Sequence, residues 1–247
     1  MGDVAETITG EVALTVAGDK MTVRVTVPRG DTALTDLLPV FHELTNTLVD
    51  RAVARDAAPG RTVSCRAGCG ACCRQAVPVS PSEARALAAL VAAMPEPRQT
   101  LIRDRFAAAR AALATNGVDC RPEAILPLER MEVRTFGLRY FAQGVACPFL
   151  EAEACSIHPD RPIACREYLV TTPAIACSTP TLETVRGVPL AGHVSLAVLA
   201  IDQAIEGHGS LILVDALEWV AHHPAPAATR PGPAIVQSVF AQLAAQS

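Results

Sequence analysis

The sequence predicts an α+β fold that is mainly α-helical, with an N-terminal β-hairpin and an irregular cysteine-rich core. Apolar and polar residues alternate with a period of two over residues 6–28, which is typical of two paired strands. Apolar residues at helical spacing, with capping signals, follow over much of the remaining chain. Half of the 247 residues are apolar, so the chain can bury a substantial core.

The N-terminal segment predicts a hairpin followed by a helix. The alternation from Ile8 to Val27 is broken at Gly18-Asp19, where we expect the turn. A two-stranded hairpin is marginal alone, so it should pack against the next element. That element is a helix, because apolar residues from Leu34 to Val49 follow helical spacing. Pro39 should mark its first turn or a break, and Gly60 should close the segment.

An αα-hairpin is predicted between residues 80 and 117. Ser80 is the expected N-cap, Pro81 is at the first helical position, and Glu83 completes a capping box. The "PEP" at residues 95–97 ends this helix, and the second helix runs to Asn116-Gly117, a good C-terminal signal.

The remaining helices are predicted from apolar runs. Residues 128–142 are a helix candidate, and the apolar stretch 192–220 should form two helices split at "EGHGS". Residues 222–233 have the composition of an extended linker, and Ile235–Leu243 should form a short amphipathic helix. We expect three parts: 1–60, the hairpin plus a helix; 61–221, the cysteine-cluster domain; and 222–247, the linker and last helix.

Charge and hydropathy exclude two classes of partner. The formal charge of −4 argues against a strongly basic nucleic-acid binder. Within the apolar C-terminal third, the uncharged stretch Gly187 to Ile201 is 15 residues long, shorter than the ~20 residues that a membrane-spanning helix needs. The N-terminal "MGDVAETITGE" is acidic and lacks the apolar region of a signal peptide. We therefore expect a cytoplasmic protein without a membrane or nucleic-acid partner.

Nine cysteines are the most informative feature. Structural disulfides are rare in the cytosol, so a dense cysteine pattern favours metal binding or catalysis. Thiolates are soft ligands for zinc, iron–sulfur clusters or Cu(I), and a metal or cluster normally takes four ligands. The candidate ligands form two groups of four, which leave Cys120 over: Cys65, Cys69, Cys72 and Cys73; then Cys147, Cys155, Cys165 and Cys177.

The first group, in "SCRAGCGACCR" (64–74), leaves the number of sites open. Adjacent side chains such as Cys72 and Cys73 generally point in different directions, so one of them faces a second metal or the two groups interleave. Gly68 and Gly70 permit positive φ, which lets the backbone wrap round an ion, and their amides could donate to sulfur. The spacing Cys65-x3-Cys69-x2-Cys72 is also that of the radical SAM cluster motif, but the mostly helical downstream chain argues against that barrel fold.

Both groups together carry a family resemblance. "CRAGCGACCR" followed by "CPFLEAEACSIHPDRPIACREY" resembles the YkgJ-like CxxCxxCC cysteine-cluster family, described as zinc- or iron-chelating proteins. The shared motifs are C-G-x-C-C (69–73), C-P-F-L (147–150), C-x-I-H-x-x-R-P (155–162) and C-R-E (165–167), and the resemblance covers roughly residues 65–180. Three residues separate Cys65 from Cys69, whereas the family name implies two, and Cys177 is assigned by position.

The resemblance implies a metal-binding domain and, from the family's labelling, an Fe–S oxidoreductase. A similar cysteine domain occurs in flagellin lysine methylases, but this chain has no methyltransferase motif, so that activity is not carried over. His158 stands where the family commonly has tyrosine, and we expect it to pack or hydrogen-bond rather than ligate. Arg161 and Arg166 are expected to offset thiolate charge or donate to sulfur.

Three hypotheses for function follow from these patterns. The first is a cytoplasmic protein that holds an iron–sulfur cluster or zinc through clustered thiolates, with a redox or electron-transfer role. The second is a cluster-dependent oxidoreductase or protein-modifying enzyme, and the third is a structural zinc protein whose C-terminal helices bind a protein partner. Iron–sulfur is the first choice of cofactor, chiefly from the family's labelling and because eight thiols exceed the needs of one zinc ion, although two zinc ions would satisfy the same number. The residues name no substrate, catalytic pair or oligomeric state.

Overall fold

The computed structural model describes residues 6–56, 62–66, 68–181, 183–224 and 227–246, and Gly60 lies outside them. The α+β class, mainly helical with an N-terminal hairpin, is confirmed. The strands pair only in twos, all antiparallel. The strands are β1 Thr7–Val16, β2 Asp19–Pro28, β3 Asp31–Ala33, β4 Pro78–Val79, β5 Leu150–Glu151, β6 Ala154–Cys155, β7 Leu211–Ile212 and β8 Thr229–Pro231. The α-helices are α1 Leu34–Asp56, α2 Pro81–Ala92, α3 Glu96–Thr115, α4 Pro122–Ile125, α5 Arg130–Ala142, α6 Ile163–Glu167, α7 Ala174–Ser178, α8 Val194–Glu206, α9 Ala216–His222 and α10 Gly232–Ala244.

The hairpin β1–β2 turns one residue earlier than the sequence predicted. Val16 pairs with Asp19, so Ala17 and Gly18 make the two-residue turn, both with positive φ (46° and 79°). A two-residue turn with positive φ at both positions matches the twist of the flanking strands. One face of the hairpin, including Leu14 and Val27, is buried.

The first hydrophobic core joins the two ends of the chain. The buried face of the hairpin packs with α1, α8 and α10, where Phe41, Val194 and Leu243 are fully buried. Strand β3 pairs with β8. Nearby, Gly232 approaches Pro28 so closely that a Cβ on residue 232 would lie 2.3 Å from the carbonyl oxygen of Pro28. Helix α1 continues through Pro39 to Asp56 without a break. The three-part division of the chain stays a prediction.

The second core forms around the predicted αα-hairpin. The capping box is present: Glu83 N donates to Ser80 Oγ (3.2 Å), and Ser80 N donates to Glu83 Oε2 (2.9 Å). Helix α3 ends at Thr115, and Gly117 follows with φ of 71°. Helices α2 and α3 pack with β7 and α9. Within this core the rings of Phe106 and Phe149 pack edge to face, with their centroids 5.4 Å apart.

The C-terminal half follows the predicted pattern with short additions. Helices α8 and α9 are separated at the predicted "EGHGS", where Gly207 ends α8 in the left-handed conformation, and β7 follows. Strand β8 and the first residues of α10 lie within the predicted linker 222–233, and α10 covers the predicted amphipathic helix. Over the described residues, no helix has both the length and the apolar character needed to cross a membrane.

Candidate metal centre

A short 3₁₀ helix, Ala71–Arg74, carries Cys72 and Cys73 and brings the two cysteine groups together. Its first turn is closed by the Cys73 amide, which donates to Gly70 O at 3.0 Å. The Cys73 carbonyl accepts a hydrogen bond from the Cys147 amide at 2.7 Å. The start of the second group is therefore fixed directly to the backbone of the first.

The hairpin β5–β6 positions two further cysteines. Cys147 precedes β5, Cys155 lies on β6, and Ala152 and Glu153 form the turn with positive φ. The turn lies against Gly70, where an added Cβ would be 2.7 Å from Glu153 Oε2 and 3.1 Å from its Cα. Because Gly70 has φ of −90°, the lack of a side chain is needed here for the close approach of the turn and not for a positive φ.

Helix α6 presents Cys165 and is held at both ends by buried carboxylates. At its N-terminus, Ile163 N donates to Glu83 Oε1 at 2.8 Å. At its C-terminus, Glu167 accepts from Ser195 N at 3.0 Å and from the Ser195 hydroxyl at 2.5 Å. A five-residue helix has little stability of its own. These contacts, from α2 and from the first turn of α8, fix the direction in which Cys165 points.

Arg166, next to Cys165, directs its hydrogen bonds to the fold. Burial, followed by the charge of Arg161, lowers the pKa of Arg166, whereas the charge of Cys165 raises it, as expected for an arginine that offsets thiolate charge. Its guanidinium is buried and donates to Pro159 O and Arg161 O and, towards α1, to Asn46 Oδ1 at 3.4 Å. The three residues of the C-R-E motif therefore have different partners: Cys165 faces the other thiols, Arg166 contacts α1, and Glu167 contacts α8. The expected role of Arg166 as a donor to sulfur is replaced by this structural one.

The remaining pair, Cys65 and Cys177, lies on the other side of the 3₁₀ helix. Cys177 is buried within α7, which packs against Ala71–Arg74. Cys65 is held in an extended segment whose neighbour Ser64 donates to Val170 O at 2.9 Å. In return, Val170 N donates to Cys65 Sγ at 3.4 Å, an amide–sulfur hydrogen bond of the kind that favours a thiolate.

The thiols interact electrostatically around Cys72. Hydrogen bonding to Cys73, followed by burial, raises the pKa of the Cys72 thiol far above its usual value. Burial is the first cause of the raised pKa of five more thiols, and the charge of Cys72 adds to each shift. These five are Cys65, Cys147, Cys155, Cys165 and Cys177; the pKa of Cys147 rises to about 11.

Nearby donors and one cation counter this repulsion. Amides of Phe149 and Ile157 hydrogen-bond Cys147 and Cys155 and lower the pKa of each thiol. The charge of Arg161 lowers the pKa of Cys72 and other thiols, as the sequence predicted for this arginine. His158 hydrogen-bonds Arg161 through Nε2 at 2.7 Å, in agreement with its expected hydrogen-bonding role.

Cys120 lies in a different environment. It is buried in a third apolar cluster with Leu113 and Tyr140. Burial, followed by the charges of Asp215 and Asp119, raises the pKa of its thiol to about 12. This environment suits a neutral thiol and gives Cys120 the surroundings of a core residue.

The donor set fits a thiophilic metal, although it is not closed around one. All nine cysteines are free thiols. Within the part of the chain that the structure describes, no three Cys, His, Asp or Glu side chains already stand as a ready metal site. Burial and mutual repulsion favour the protonated form of the thiols whose pKa values are raised, and a bound cation would offset both effects by neutralising thiolate charge. The chemistry of these residues therefore suits zinc or iron once the thiols have lost their protons.

A large open groove borders the centre on one side. Its volume is about 1040 Å³. It is lined by Cys69 and its glycines, by α5 through Leu138 and Phe141, and by α7. Ile175, on α7, is 74% exposed. One side of the cysteine cluster is thus accessible to a molecule from solution.

The cysteine pattern and its flanking motifs match a family model over residues 64–182, the CxxCxxCC family, described as a "putative zinc- or iron-chelating domain". Residues 64–182 belong to the CxxCxxCC family. No curated protein and no solved structure matched the chain. The CxxCxxCC domain begins at the segment of Cys65 and ends after α7, so it contains all eight candidate ligands. Metal binding is the activity that this description gives to the domain.

The sequence did not reveal several residues that position the CxxCxxCC domain. Glu83 was predicted only as a capping residue, yet it also holds α6. Asp202, on α8, is fully buried and accepts from Ser82 N at 2.6 Å and Ser82 Oγ at 2.9 Å, which fixes the start of α2. An acidic residue in an otherwise apolar stretch of helix was the available signal for Asp202, because such a group is buried only with partners.

Proposed function

We propose that the chain is a metal-binding protein whose centre uses thiolates from both cysteine groups, with an iron–sulfur cluster as the first choice of cofactor. The observation that supports this most directly is the hydrogen bond from the Cys147 amide to the Cys73 carbonyl at 2.7 Å, which joins the two cysteine groups. The eight proposed ligands are Cys65, Cys69, Cys72, Cys73, Cys147, Cys155, Cys165 and Cys177.

The choice of iron–sulfur follows from ligand number and from the family's labelling. Eight neighbouring thiols exceed the four that one zinc ion takes, although two zinc ions would satisfy the same number. An iron–sulfur centre would give the protein a redox or electron-transfer role. We expect the protein in the cytoplasm, where free thiols persist.

The test is metal analysis of the full chain purified without oxygen. We expect brown protein with iron and acid-labile sulfide; colourless protein with stoichiometric zinc and no sulfide would overturn the iron–sulfur choice. Cys72→Ser and Cys165→Ser should lose metal. Cys120→Ser is the matched control, because Cys120 is a buried cysteine outside the cluster, and it should keep its metal. Retention of full metal by both cluster variants would contradict the thiolate centre itself.

An enzyme acting at the centre is the second candidate, favoured by the groove beside Cys69. Catalysis at a metal needs a coordination position that a substrate can reach. Azide titrated into cobalt-loaded protein should then shift the visible absorption bands of the metal. An unchanged spectrum at saturating azide would indicate closed thiolate coordination and exclude this candidate.

A further inference from the structure

The open groove beside the cysteine cluster is lined by three segments of the chain. One is the loop around Cys69, the second is α5, through Leu138 and Phe141, and the third is α7 with the residues after it, through Ile175. The groove volume is about 1040 Å³, just above the roughly 300–1,000 Å³ of small-molecule pockets. Its size and its open side suit a length of polypeptide better than a compact small molecule.

Helix α5 presents an apolar face to this groove. Of the thirteen residues of α5, all of them described, Tyr140 alone is buried, although a helix of this length gains most of its stability by packing. The face that carries Leu138 continues at helical spacing to Arg134 and Met131, and Met131 is 59% exposed. Together with exposed Ile175 on α7, these side chains form an apolar surface that the described part of the chain leaves uncovered.

The charged side chains that line the groove carry a net positive charge. Arg74 is paired with Glu153, with the guanidinium 2.8 Å from the carboxylate, so these two charges offset each other. Arg66 is exposed at the groove, and it has no ion-pair partner among the described residues. Its guanidinium is therefore available to a negatively charged group from solution.

The groove face of α5 adds a second arginine of the same kind. Arg134 is exposed, one helical turn before Leu138, and is also without an ion-pair partner in the described part of the chain. The acidic residue nearest to it on α5, Glu132, caps the helix by accepting from the Glu129 amide at 2.8 Å. Since the whole chain has a formal charge of −4, the positive charge at the groove is opposite to the overall balance of the molecule.

We propose that this groove docks an acidic segment of a partner protein, whose apolar side chains pack on α5 and α7 and whose carboxylates pair with Arg66 and Arg134. An apolar surface rimmed by polar groups is typical of protein interaction sites, and opposite charge gives such a site its specificity. The docked segment covers Cys69 and thereby closes the accessible side of the cysteine cluster. This inference goes beyond the proposed function, because it holds whichever metal the cysteines bind.

A phage-displayed library of random short peptides tests the chemistry of the partner. The full chain is immobilised without oxygen at the metal content with which it is purified. We expect the enriched peptides to combine several aspartate or glutamate residues with leucine, isoleucine or phenylalanine. Enrichment of basic or uncharged peptides, or of none, would overturn the proposal.

Variants of the groove then locate the binding site, with the fluorescence anisotropy of an enriched peptide as the measurement. Ile175→Asp should bind at least about tenfold more weakly, because a charge replaces an apolar anchor. Arg66→Glu should bind about fivefold more weakly and should prefer a peptide in which lysine replaces each acidic residue. The matched controls, Leu101→Asp on α3 and Arg24→Glu on β2, change exposed residues outside the groove and should bind as the wild type does. Unchanged affinity in both groove variants, or equal losses in the controls, would contradict the groove as the docking site.

Leu138→Glu separates docking from metal binding. Ile175 lies two residues from Cys177, so the metal content of every variant is measured beside its peptide affinity. Leu138 lies in the groove on α5, which carries no cysteine. Leu138→Glu should therefore lose peptide affinity at wild-type metal content, and full peptide affinity in this variant would count against the proposal.

Two further measurements distinguish other occupants of the groove. Sedimentation of the wild type alone should show no self-association that Ile175→Asp abolishes, since such an effect would make a second copy of this chain the occupant. Vesicles of anionic phospholipid should not bind the chain through the groove. Vesicle binding that Ile175→Asp abolishes would make a membrane surface the occupant and overturn the protein partner.

Discussion

Glu83 connects two helices through one carboxyl group. One oxygen accepts from Ser80 N in the capping box, and the other accepts from Ile163 N at the start of α6. Burial raises the pKa of this carboxyl to about 7. A group that caps its own helix is visible in sequence, but its second partner is 80 residues away and is visible only in the fold.

Glu83→Gln should destabilise the protein by about 1 to 3 kcal/mol, because one buried N–H loses its acceptor. The difference between wild type and variant should also depend on pH. As pH rises from about 4.5 to about 7, the carboxyl ionises in the unfolded chain before it does in the folded one. The contribution of this carboxyl to the free energy of unfolding of the wild type therefore declines over this range. Urea unfolding at fixed metal content should therefore show the largest difference in the free energy of unfolding between wild type and Glu83→Gln at the low end of this pH range. A constant difference would contradict the raised pKa.

The thiols predict how metal binding responds to pH. Burial raises the pKa of Cys147 to about 11, so this thiol is protonated at neutral pH without metal. Metal must displace such protons, and affinity should rise with pH across the neutral range while protons are released. Zinc competition titrations in lightly buffered solution measure both quantities. An affinity independent of pH would show that the ligands are already deprotonated.

At the scale of elements, length separates what the sequence predicts from what it does not. Strands β1 and β2 and helices α1, α2 and α3 are long enough to show periodicity and capping signals, and all five were predicted. Helices α6 and α7 have five residues each, too short for a periodic pattern. Contacts from distant elements hold these helices; for example, Glu83 on α2 accepts a hydrogen bond from the first residue of α6. Such contacts leave no signal in the local sequence.

In the candidate site, too, the sequence predicts some features, while others are visible only in the fold. The eight cysteines were identified from their spacing and the family motifs, and their arrangement as ligands stays a prediction. Their grouping in space could not be predicted, because Cys177 returns to the first group through the fold of α7. Sequence distance places Cys177 with Cys165, whereas the structure packs its helix α7 against the 3₁₀ helix that carries Cys72 and Cys73.

The contact between Gly70 and the β5–β6 turn predicts a sensitive position. In Gly70→Ala the new Cβ meets the side-chain ends of Glu153 and Leu150 at less than 3 Å and the backbone Cα of Glu153 at 3.1 Å. The side-chain ends can rotate away, but the backbone contact requires the turn and the 3₁₀ helix to separate slightly. Overpacking of this kind costs about 1 to 3 kcal/mol. We expect weaker cadmium binding, measured by competition, because Cys72 and Cys155 lie on the two separated elements.

Gly10→Ala is the matched control. Gly10 lies in strand β1, where an added Cβ has no neighbour within 4 Å. This variant should bind cadmium as the wild type does and be at least as stable, since alanine restricts the unfolded chain more than glycine does. Equal cadmium affinity in Gly10→Ala and Gly70→Ala would show that the close contact does not position the ligands.

At the scale of the molecule, stability is divided between apolar cores and the metal. Buried apolar side chains are frequent in α1, α2, α3 and α10 but sparse over residues 144–181. Metal ligation supplies folding free energy where apolar burial does not. Removal of metal should therefore expose residues 144–181 to limited proteolysis while the helices from Ser80 to Asn116 stay protected.

Mass spectrometry of the fragments, with far-UV circular dichroism of the same sample, would measure this. Helical signal should fall only slightly on metal removal and return when metal is added back. Cleavage spread evenly along the chain, or simultaneous loss of all helical signal, would show that the metal stabilises the whole molecule as one cooperative unit.

The stretch that defines the family is shorter than the stretch that must fold together. Strand β4 and helix α2 lie within residues 64–182, yet they pair with β7 and pack on α9, which lie beyond it. Ile163, beside the thiols, is buried among α1 and α8, which flank the matched region on either side. An excised fragment of residues 64–182 would leave these apolar surfaces bare, and we expect it to aggregate. The region that matches the family is therefore smaller than the region that folds independently, and work on the domain should begin from the whole 247-residue chain.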